Sequence, residues 1–244
     1  LVEAQRAHFL TGVTRPVEWR KERILTLKKL FEDHWPEWEA ALIKDLGKKK
    51  DAITFESSAM FLPQLDYLIA NVEQWMQPVR FESFPSLDPV NDTVLLVKEP
   101  LGVTLNIAPW NAPLFSVMTA AYSFVAGCTL VYKPSELAPA TSELTEKLVS
   151  KYYDPKEFVI INGGIPETTE LLKERFDHIF YTGNPTVAKI IMAAASKHLT
   201  PVTLELGGKN PVLIDDTADV EEAVKKVLAA KSYNHAQSCV CADY

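Results

Sequence analysis

The stretch 202–211 of this chain, Val-Thr-Leu-Glu-Leu-Gly-Gly-Lys-Asn-Pro, ends a short β-type run in a carboxylate and two glycines. Strands that end in this way deliver catalytic groups to a cleft, because functional residues concentrate in loops positioned by a rigid scaffold. Glu205 lies between Leu204 and Leu206. Apolar surroundings favour the protonated form of a carboxyl group and make it a usable general base. The alternative is an ordinary strand-end glutamate that faces solvent.

A second reactive group lies near the other end of the chain, in 234–241, Asn-His-Ala-Gln-Ser-Cys-Val-Cys. The thiol of Cys239 could be a nucleophile that a base at Glu205 serves. The alternative is a small buried apolar residue, which is the commonest role of a free cysteine. Cys239 and Cys241 also have the spacing of half a metal site or of a redox pair. No second cysteine pair or spaced histidine follows, so we expect no metal.

Three further motifs accompany these residues: Pro-Trp-Asn at 109–111, Lys-Pro-Ser-Glu at 133–136 and Tyr-Thr-Gly at 181–183. Together with the Leu-Glu-Leu-Gly-Gly-Lys of 204–209, which is the specific element, this ordered set resembles the aldehyde dehydrogenase superfamily. The runs 161–172, Ile-Asn-Gly-Gly-Ile-Pro-Glu-Thr-Thr-Glu-Leu-Leu, and 195–201, Ala-Ser-Lys-His-Leu-Thr-Pro, resemble its class 3 branch, which oxidises fatty and aromatic aldehydes. The resemblance covers essentially the whole chain.

The resemblance implies NAD(P)-dependent oxidation of an aldehyde to a carboxylic acid. A Cys239 thiolate would attack the carbonyl, and the oxyanion of the thiohemiacetal would accept hydrogen bonds from the Asn111 side chain and the Cys239 backbone N–H. Hydride transfer would leave a thioester, which water activated by Glu205 hydrolyses. Without the resemblance, Asn111 is interpreted as a turn residue before Pro113. The alternative function is a non-catalytic binding or structural protein derived from the same family.

The standard dinucleotide fingerprint, Gly-x-Gly-x-x-Gly, is absent from the sequence. Gly183, Asn184 and Val187 offer another phosphate site, because a helix that begins directly after a strand presents free N–H groups to a pyrophosphate. The family commonly has Ser where this chain has Asn184, and Gly where it has Ala188.

Lys133 and Glu136 follow a predicted strand, at the end where ligands gather in open α/β sheets. The resemblance implies that they bind the adenosine ribose, and it adds Trp110 to the cofactor-binding residues. Because an ammonium can reach a 2′-phosphate, Lys133 leaves both NAD and NADP open. Without the resemblance, Lys133 and Glu136 are interpreted as a solvated turn.

The segment before Cys239 also departs from the family pattern. Family members usually have Gly and Thr where this chain has Ala236 and Ser238. Alanine restricts the backbone if position 236 needs a positive φ angle. Cys241 replaces a residue that is usually not cysteine.

The 244 residues are long enough for one large or two modest domains with a real core. The formal charge is −7 and no basic stripe appears, so nucleic acid is not an expected partner. Three cysteines do not suggest a disulfide framework and fit a cytoplasmic protein. The charge-free stretch 100–132 is interrupted by prolines, so it predicts a strand, a turn, a helix and a strand rather than a membrane span.

Periodicity predicts an N-terminal helical region over 15–45, with a second helix starting at Pro36, and a long helix over 52–76 broken or kinked near Pro63. Strands and helices then alternate, which predicts an α/β, Rossmann-like parallel sheet with helices on both faces. The predicted strands are 103–108, 129–133, 158–162, 178–182 and 202–206, and the predicted helices are 113–125, 139–152, 166–173 and 185–197.

We predict that residues 1–80 and 99–206 form a cofactor-binding domain and that 207–244 begin a catalytic domain. By resemblance, 81–98 form the oligomerisation arm of a homodimer, although from the residues alone this segment could equally be a surface hairpin. The chain lacks an initiator Met, and the resemblance implies the N-terminal half of a longer enzyme. We therefore expect it to be inactive alone, with Cys239 exposed on a frayed terminus. Membrane attachment would need a C-terminal tail beyond residue 244.

Overall fold

The computed structural model describes residues 1–81 and 92–244, and it begins with a layer of helices. Pro36 lies in the first turn of one of them, as predicted, because a proline there loses no helical hydrogen bond. Pro63 also lies in a first turn, so the irregularity expected near it is instead a π-helical segment just before it. The layer consists of α1 (Val2–Leu10), α2 (Val17–Asp33), α3 (Trp35–Leu46), α4 (Lys50–Phe55), the π-helical Glu56–Phe61, and α5 (Leu62–Trp75).

A short antiparallel hairpin follows, formed by β1 (Val79–Phe81) and β2 (Val94–Leu96). Most of its side chains are exposed. The rest of the predicted oligomerisation arm, residues 82–91, lies outside the described residues. The role of the arm in subunit pairing therefore stays a prediction.

The middle of the chain alternates between strands and helices. The predicted elements are all found, with ends within two residues of those expected. The strands pair in the order β5-β4-β3-β6-β7, and each pairing is parallel. The α/β fold predicted from the sequence is thereby confirmed. The elements are β3 (Val103–Ile107), α6 (Pro113–Val125), β4 (Thr129–Lys133), α7 (Pro139–Tyr152), β5 (Phe158–Ile160), α8 (Ile165–Leu171), β6 (His178–Thr182), α9 (Pro185–Ala195) and β7 (Val202–Glu205).

The sheet separates two apolar cores. Helices α2, α3, α5, α6 and α7 pack on one face, around Trp38, Phe124 and Phe158. Helices α1, α8 and α9 pack on the other face, around Phe176 and Ile191. Because both faces are covered, every residue of β3 and β4 is buried, as is typical of parallel sheets.

The order of the strands places the predicted motifs together. From β3 the chain runs outward to β4 and β5, and then returns to the other side of β3 for β6 and β7. The reversal creates a switch point between β3 and β6, and open α/β sheets bind ligands outside the carboxyl ends of the strands there. Asn111 follows β3, Lys133 ends β4, Gly183 follows β6 and Glu205 ends β7.

The last part of the chain contains α10 (Val220–Ser232) and a 3-10 segment, Tyr233–Ala236, that leads to Cys239. The expected fraying of this terminus is wrong. Nδ2 of Asn210 donates to the carbonyl oxygens of Cys239 at 2.8 Å and of Cys241 at 2.9 Å, and Asn210 forms a parallel bridge with Ala242. Cys239 is therefore held half-buried. The assignment of 207–244 to a second domain stays a prediction.

Within residues 1–81 and 92–244, no helix combines the length and the apolar character that crossing a membrane requires.

Candidate active site

Cys239 and Glu205 meet at the carboxyl edge of the sheet. The pairing of Thr182 with Glu205 fixes the end of β7 beside β6. Burial raises the pKa of the Cys239 thiol, and a hydrogen bond to the Glu205 carboxylate and its negative charge raise that pKa further. The thiol is therefore held protonated next to a group that can accept its proton. The roles of Cys239 as nucleophile and Glu205 as base stay predictions.

The apolar surroundings predicted for Glu205 are not found. Its side chain is exposed, whereas Leu204 and Leu206 are half-buried against the second core. Successive side chains of a strand point to opposite faces, so apolar residues on either side of a glutamate turn away from it. The position of Glu205 at the end of a strand, rather than its neighbours in sequence, brings it to the thiol.

Asn111 lies against the segment that precedes Cys239. Its Nδ2 donates to the carbonyl oxygen of Gln237 at 2.9 Å. In return, Nδ2 of Asn234 donates to the carbonyl oxygens of Asn111 at 2.9 Å and of Gln237 at 3.1 Å. A side-chain amide nitrogen carries two hydrogens, so this contact leaves one N–H of Asn111 for an oxyanion. Asn111 thus has a structural contact in addition to its predicted role.

The segment contains three consecutive residues in the left-handed region. The φ angle is 48° at Asn234, 56° at His235 and 61° at Ala236. Position 236 therefore does need a positive φ angle, which costs an alanine about 1–2 kcal/mol. Asparagine tolerates this region better, because its short polar side chain can form local hydrogen bonds. The hydrogen bonds of Asn111 and Asn234 hold the strained turn in place.

Lys133 and Glu136 lie together after β4. The Lys133 side chain is 3 % exposed, and its Nζ donates to the carbonyl oxygen of Pro134 at 2.6 Å and lies 3.9 Å from Oε2 of Glu136. Burial lowers the pKa of Lys133, and the carboxylates of Glu136 and Glu167 oppose that shift. The Glu136 side chain is half exposed, so it can reach a ribose hydroxyl. Trp110 lies half-buried in the loop after β3, next to Asn111.

The start of α9 offers fewer free N–H groups than the sequence predicts. The side-chain oxygen of Asn184 accepts from the Val187 N–H at 2.9 Å. The Asn184 N–H donates to the hydroxyl of Tyr181 at 3.0 Å, and the Gly183 N–H donates to the carbonyl oxygen of Glu205 at 3.0 Å. Asparagine is a strong helix cap, so it satisfies donors that a phosphate would otherwise take. The expectation of free N–H groups at these three positions is wrong.

Sequence reasoning missed two residues of this region. Asn234 bonds the turn to Asn111, and Tyr233 bonds it to Glu56 in the π-helical segment. Asn234 had a usable signal, because asparagine is enriched at positive φ angles. Tyr233 had none, because its partner lies in an element whose placement depends on the whole fold.

A cavity of about 390 Å³ lies elsewhere, near the amino ends of the strands. Its lining includes Thr104, Tyr122, Cys128 and His178. None of the predicted site residues lines it. Since ligands of open α/β sheets bind at the carboxyl ends, this cavity is separate from the candidate site.

The fold and the site define a class of protein: a doubly wound α/β domain that presents a thiol, a carboxylate and a side-chain amide at one edge of its sheet. The aldehyde dehydrogenase family matches the chain over residues 1–244. The chain belongs to that family.

Relatives support the class 3 resemblance. The chain is 40 % identical over 245 residues to the "Aldehyde dehydrogenase, dimeric NADP-preferring" of Canis lupus familiaris. The match covers 100 % of this chain and 54 % of the relative. It is 40 % identical over 246 residues to "Aldehyde dehydrogenase family 3 member H1" of Arabidopsis thaliana, covering 100 % of this chain and 50 % of the relative.

A solved structure supports the fold. "Substrate bound state of Staphylococcus Aureus AldH" aligns with a TM-score of 0.92 at 34 % identity, over 99 % of this chain and 53 % of that one. The chain therefore spans about half the length of the curated relatives it matches.

Proposed function

We propose that the protein containing this chain oxidises an aldehyde to a carboxylic acid with NAD or NADP, through a thiohemiacetal and a thioester on Cys239. The observation that carries this proposal is the arrangement at the carboxyl ends of the strands: Glu205 ends β7 close enough to Cys239 to raise the pKa of its thiol, and Asn111 donates to the carbonyl oxygen of Gln237, two residues before Cys239. A nucleophile, a base and an oxyanion donor are the groups that acyl chemistry needs within reach of one carbon atom.

The residues of the chain perform the steps as follows. Glu205 accepts the proton of the thiol, and the Cys239 sulfur attacks the aldehyde carbon. The free N–H of Asn111 and the backbone N–H of Cys239 donate to the oxyanion that forms. Glu205 passes that first proton to solvent, to which its side chain is exposed. It then accepts a proton from the water that attacks the thioester carbonyl and returns it to the departing Cys239 sulfur, which releases the acid and the thiol.

A bound NAD or NADP would supply the hydride acceptor. At the ribose end the residues fit: the buried ammonium of Lys133 and the half-exposed carboxylate of Glu136 can bond to hydroxyls. At the phosphate end the fit at Gly183, Asn184 and Val187 is incomplete, because their N–H groups donate to the Glu205 carbonyl oxygen, the Tyr181 hydroxyl and the Asn184 side chain, respectively. A relative described as NADP-preferring supports NADP as one of the two cofactors proposed.

Further proposals follow from the resemblance. The substrates are medium- or long-chain or aromatic aldehydes, as in the class 3 branch. The exposed hairpin of β1 and β2 is part of a dimer arm, and a relative described as dimeric supports this assignment. We place the protein in the cytoplasm, because its three cysteines are free.

A non-catalytic protein of the same family is the competing function. The strained alanine at position 236 and the Asn184 cap favour it, since both depart from the family pattern. The presence of Cys239, Glu205 and Asn111 at the same end of the sheet favours the enzyme, because a binding protein has no need of all three groups there.

The test is aldehyde oxidation by the natural protein at its full length, followed as NAD(P)H formation with hexanal and benzaldehyde. Cys239→Ala should abolish turnover and leave cofactor binding near that of the natural protein. Cys128→Ala, which removes a buried thiol at the other edge of the sheet, is the matched control and should keep its activity. Turnover by the Cys239→Ala protein would rule out the mechanism proposed here.

A further inference from the structure

Tyr233 joins the helical layer to the segment that carries Cys239. Its hydroxyl donates a hydrogen bond to Oε1 of Glu56, which lies 177 residues earlier in the chain. Glu56 belongs to the π-helical segment, and its side chain is 1 % exposed. Such π-helical turns are rare in proteins, and those that do occur are often found at functional sites.

Glu56 is held by a second partner. Nζ of Lys48 donates to the same carboxylate oxygen, and the Lys48 side chain is 4 % exposed. The same Nζ lies 5.5 Å from the centroid of the Tyr233 ring. A buried charge is tolerated only when it is paired and hydrogen-bonded, so these three side chains hold one another in a single arrangement.

The Tyr233 hydroxyl acts as a neutral donor in this arrangement. Burial raises the pKa of Tyr233, and the hydrogen bond to Glu56 and the charge of Glu56 raise it further. The phenol therefore stays protonated at neutral pH and keeps donating to the carboxylate.

The left-handed turn begins directly after Tyr233. Asn234, His235 and Ala236 all have positive φ angles, and a hydrogen bond from Asn111 to Gln237 holds the far end of the turn. Strained backbone persists only where the surrounding structure fixes it. The turn is thus fixed at its carboxyl end by Asn111 and at its amino end by Tyr233.

We propose that Tyr233 is a positioning residue for Cys239: its hydrogen bond to the buried Glu56 fixes the amino end of the left-handed turn and so keeps the thiol beside Glu205. This inference rests on the proposed role of Cys239 as the nucleophile. It adds a residue that does not touch the reacting atoms and that acts through the backbone between 233 and 239.

The test is Tyr233→Phe in the natural full-length protein, which removes only the hydroxyl. Tyr67→Phe, at an exposed tyrosine of α5, is the matched control. We expect kcat of Tyr233→Phe to fall roughly tenfold or more, because the variant loses a hydrogen bond to a buried charge. The KM for the aldehyde should stay nearly unchanged. Thermal unfolding followed by circular dichroism verifies that both variants are folded.

A second measurement uses no aldehyde. The rate of Cys239 alkylation by iodoacetamide is followed against pH, with the modified peptide identified by mass spectrometry. A thiol that moves away from Glu205 loses a contact that raises its pKa, so the pH midpoint of alkylation should fall in Tyr233→Phe and stay unchanged in Tyr67→Phe.

A purely structural tyrosine would lower the melting temperature without changing kcat or the alkylation midpoint, and that result would overturn the proposal. The proposed function has a separate test: turnover of aldehyde by the Cys239→Ala protein would contradict it. The alkylation midpoint still tests the positioning role in that case, because it requires no catalysis.

Discussion

The carboxylate of Glu205 raises the pKa of the Cys239 thiol, although the two residues come from different parts of the chain and neither is deeply buried. The contact has two opposing effects. The negative charge of Glu205 disfavours the Cys239 thiolate, yet in the proposed mechanism the same carboxylate accepts the thiol proton when the sulfur attacks. Under the proposed mechanism, the pair would therefore hold Cys239 as a thiol before the substrate is attacked.

Replacement of Glu205 by Gln should make Cys239 more reactive toward iodoacetamide. A negative charge beside a thiol raises the thiol pKa, so removing that charge lowers the pKa and increases the thiolate fraction at any pH below it. We expect the pH midpoint of alkylation to move down and labelling at neutral pH to become several-fold faster.

Glu205→Asp, which keeps the charge, is the matched control and should stay closer to the natural protein than Glu205→Gln does. Slower labelling of the Gln variant would show that the carboxylate does not act on the thiol by its charge. Cys128 and Cys241 are buried, and peptide mapping separates their labelling from that of Cys239.

Ala236→Gly should stabilise the protein. The positive φ angle costs alanine about 1–2 kcal/mol, and the greater freedom of glycine in the unfolded chain offsets about 0.5–1 kcal/mol of the gain. We expect the free energy of unfolding to rise by roughly 0.5–1 kcal/mol, measured by urea denaturation.

The matched control is Ala229→Gly within α10, where glycine lowers the free energy of unfolding by about 1 kcal/mol. We expect Ala236→Gly to raise the free energy of unfolding and Ala229→Gly to lower it. A loss of stability in both would mean that the left-handed turn at position 236 does not persist in solution.

Asn184→Ala should lower the free energy of unfolding by about 1 kcal/mol, because it removes the side-chain acceptor that caps the Val187 N–H. Asn184→Ser, which keeps a capping oxygen, should change it by only a few tenths of a kcal/mol. Urea denaturation measures both variants, and equal losses would show that the cap contributes nothing.

The sequence predicted most of the fold because its signals are local. The alternation of apolar strands and proline-initiated helices after residue 100 follows from spacing along the chain, and Pro113, Pro139 and Pro185 each mark a helix start. The site residues followed from the resemblance and from their positions at strand ends.

The sequence could not show which hydrogen-bond partners and which surroundings a side chain has in the folded protein. Asn184 was expected to leave N–H groups free for a phosphate, but a capping asparagine takes one of them. Glu205 was expected to be desolvated, but its leucine neighbours point elsewhere. The contact of Tyr233 with Glu56 depends on the packing of two elements far apart in sequence, so no local pattern reveals it.

The contacts of the Cys239 segment also determine when it can form. They reach back to Glu56 across 177 residues, to Asn111 across 126 and to Asn210 across 29. Contacts between residues so far apart form late in folding, because the chain must close long loops before any of them is gained. We therefore expect Cys239 to be held near Glu205 only after the helical layer and the sheet are in place. A partly folded chain therefore lacks the arrangement on which the proposed function depends.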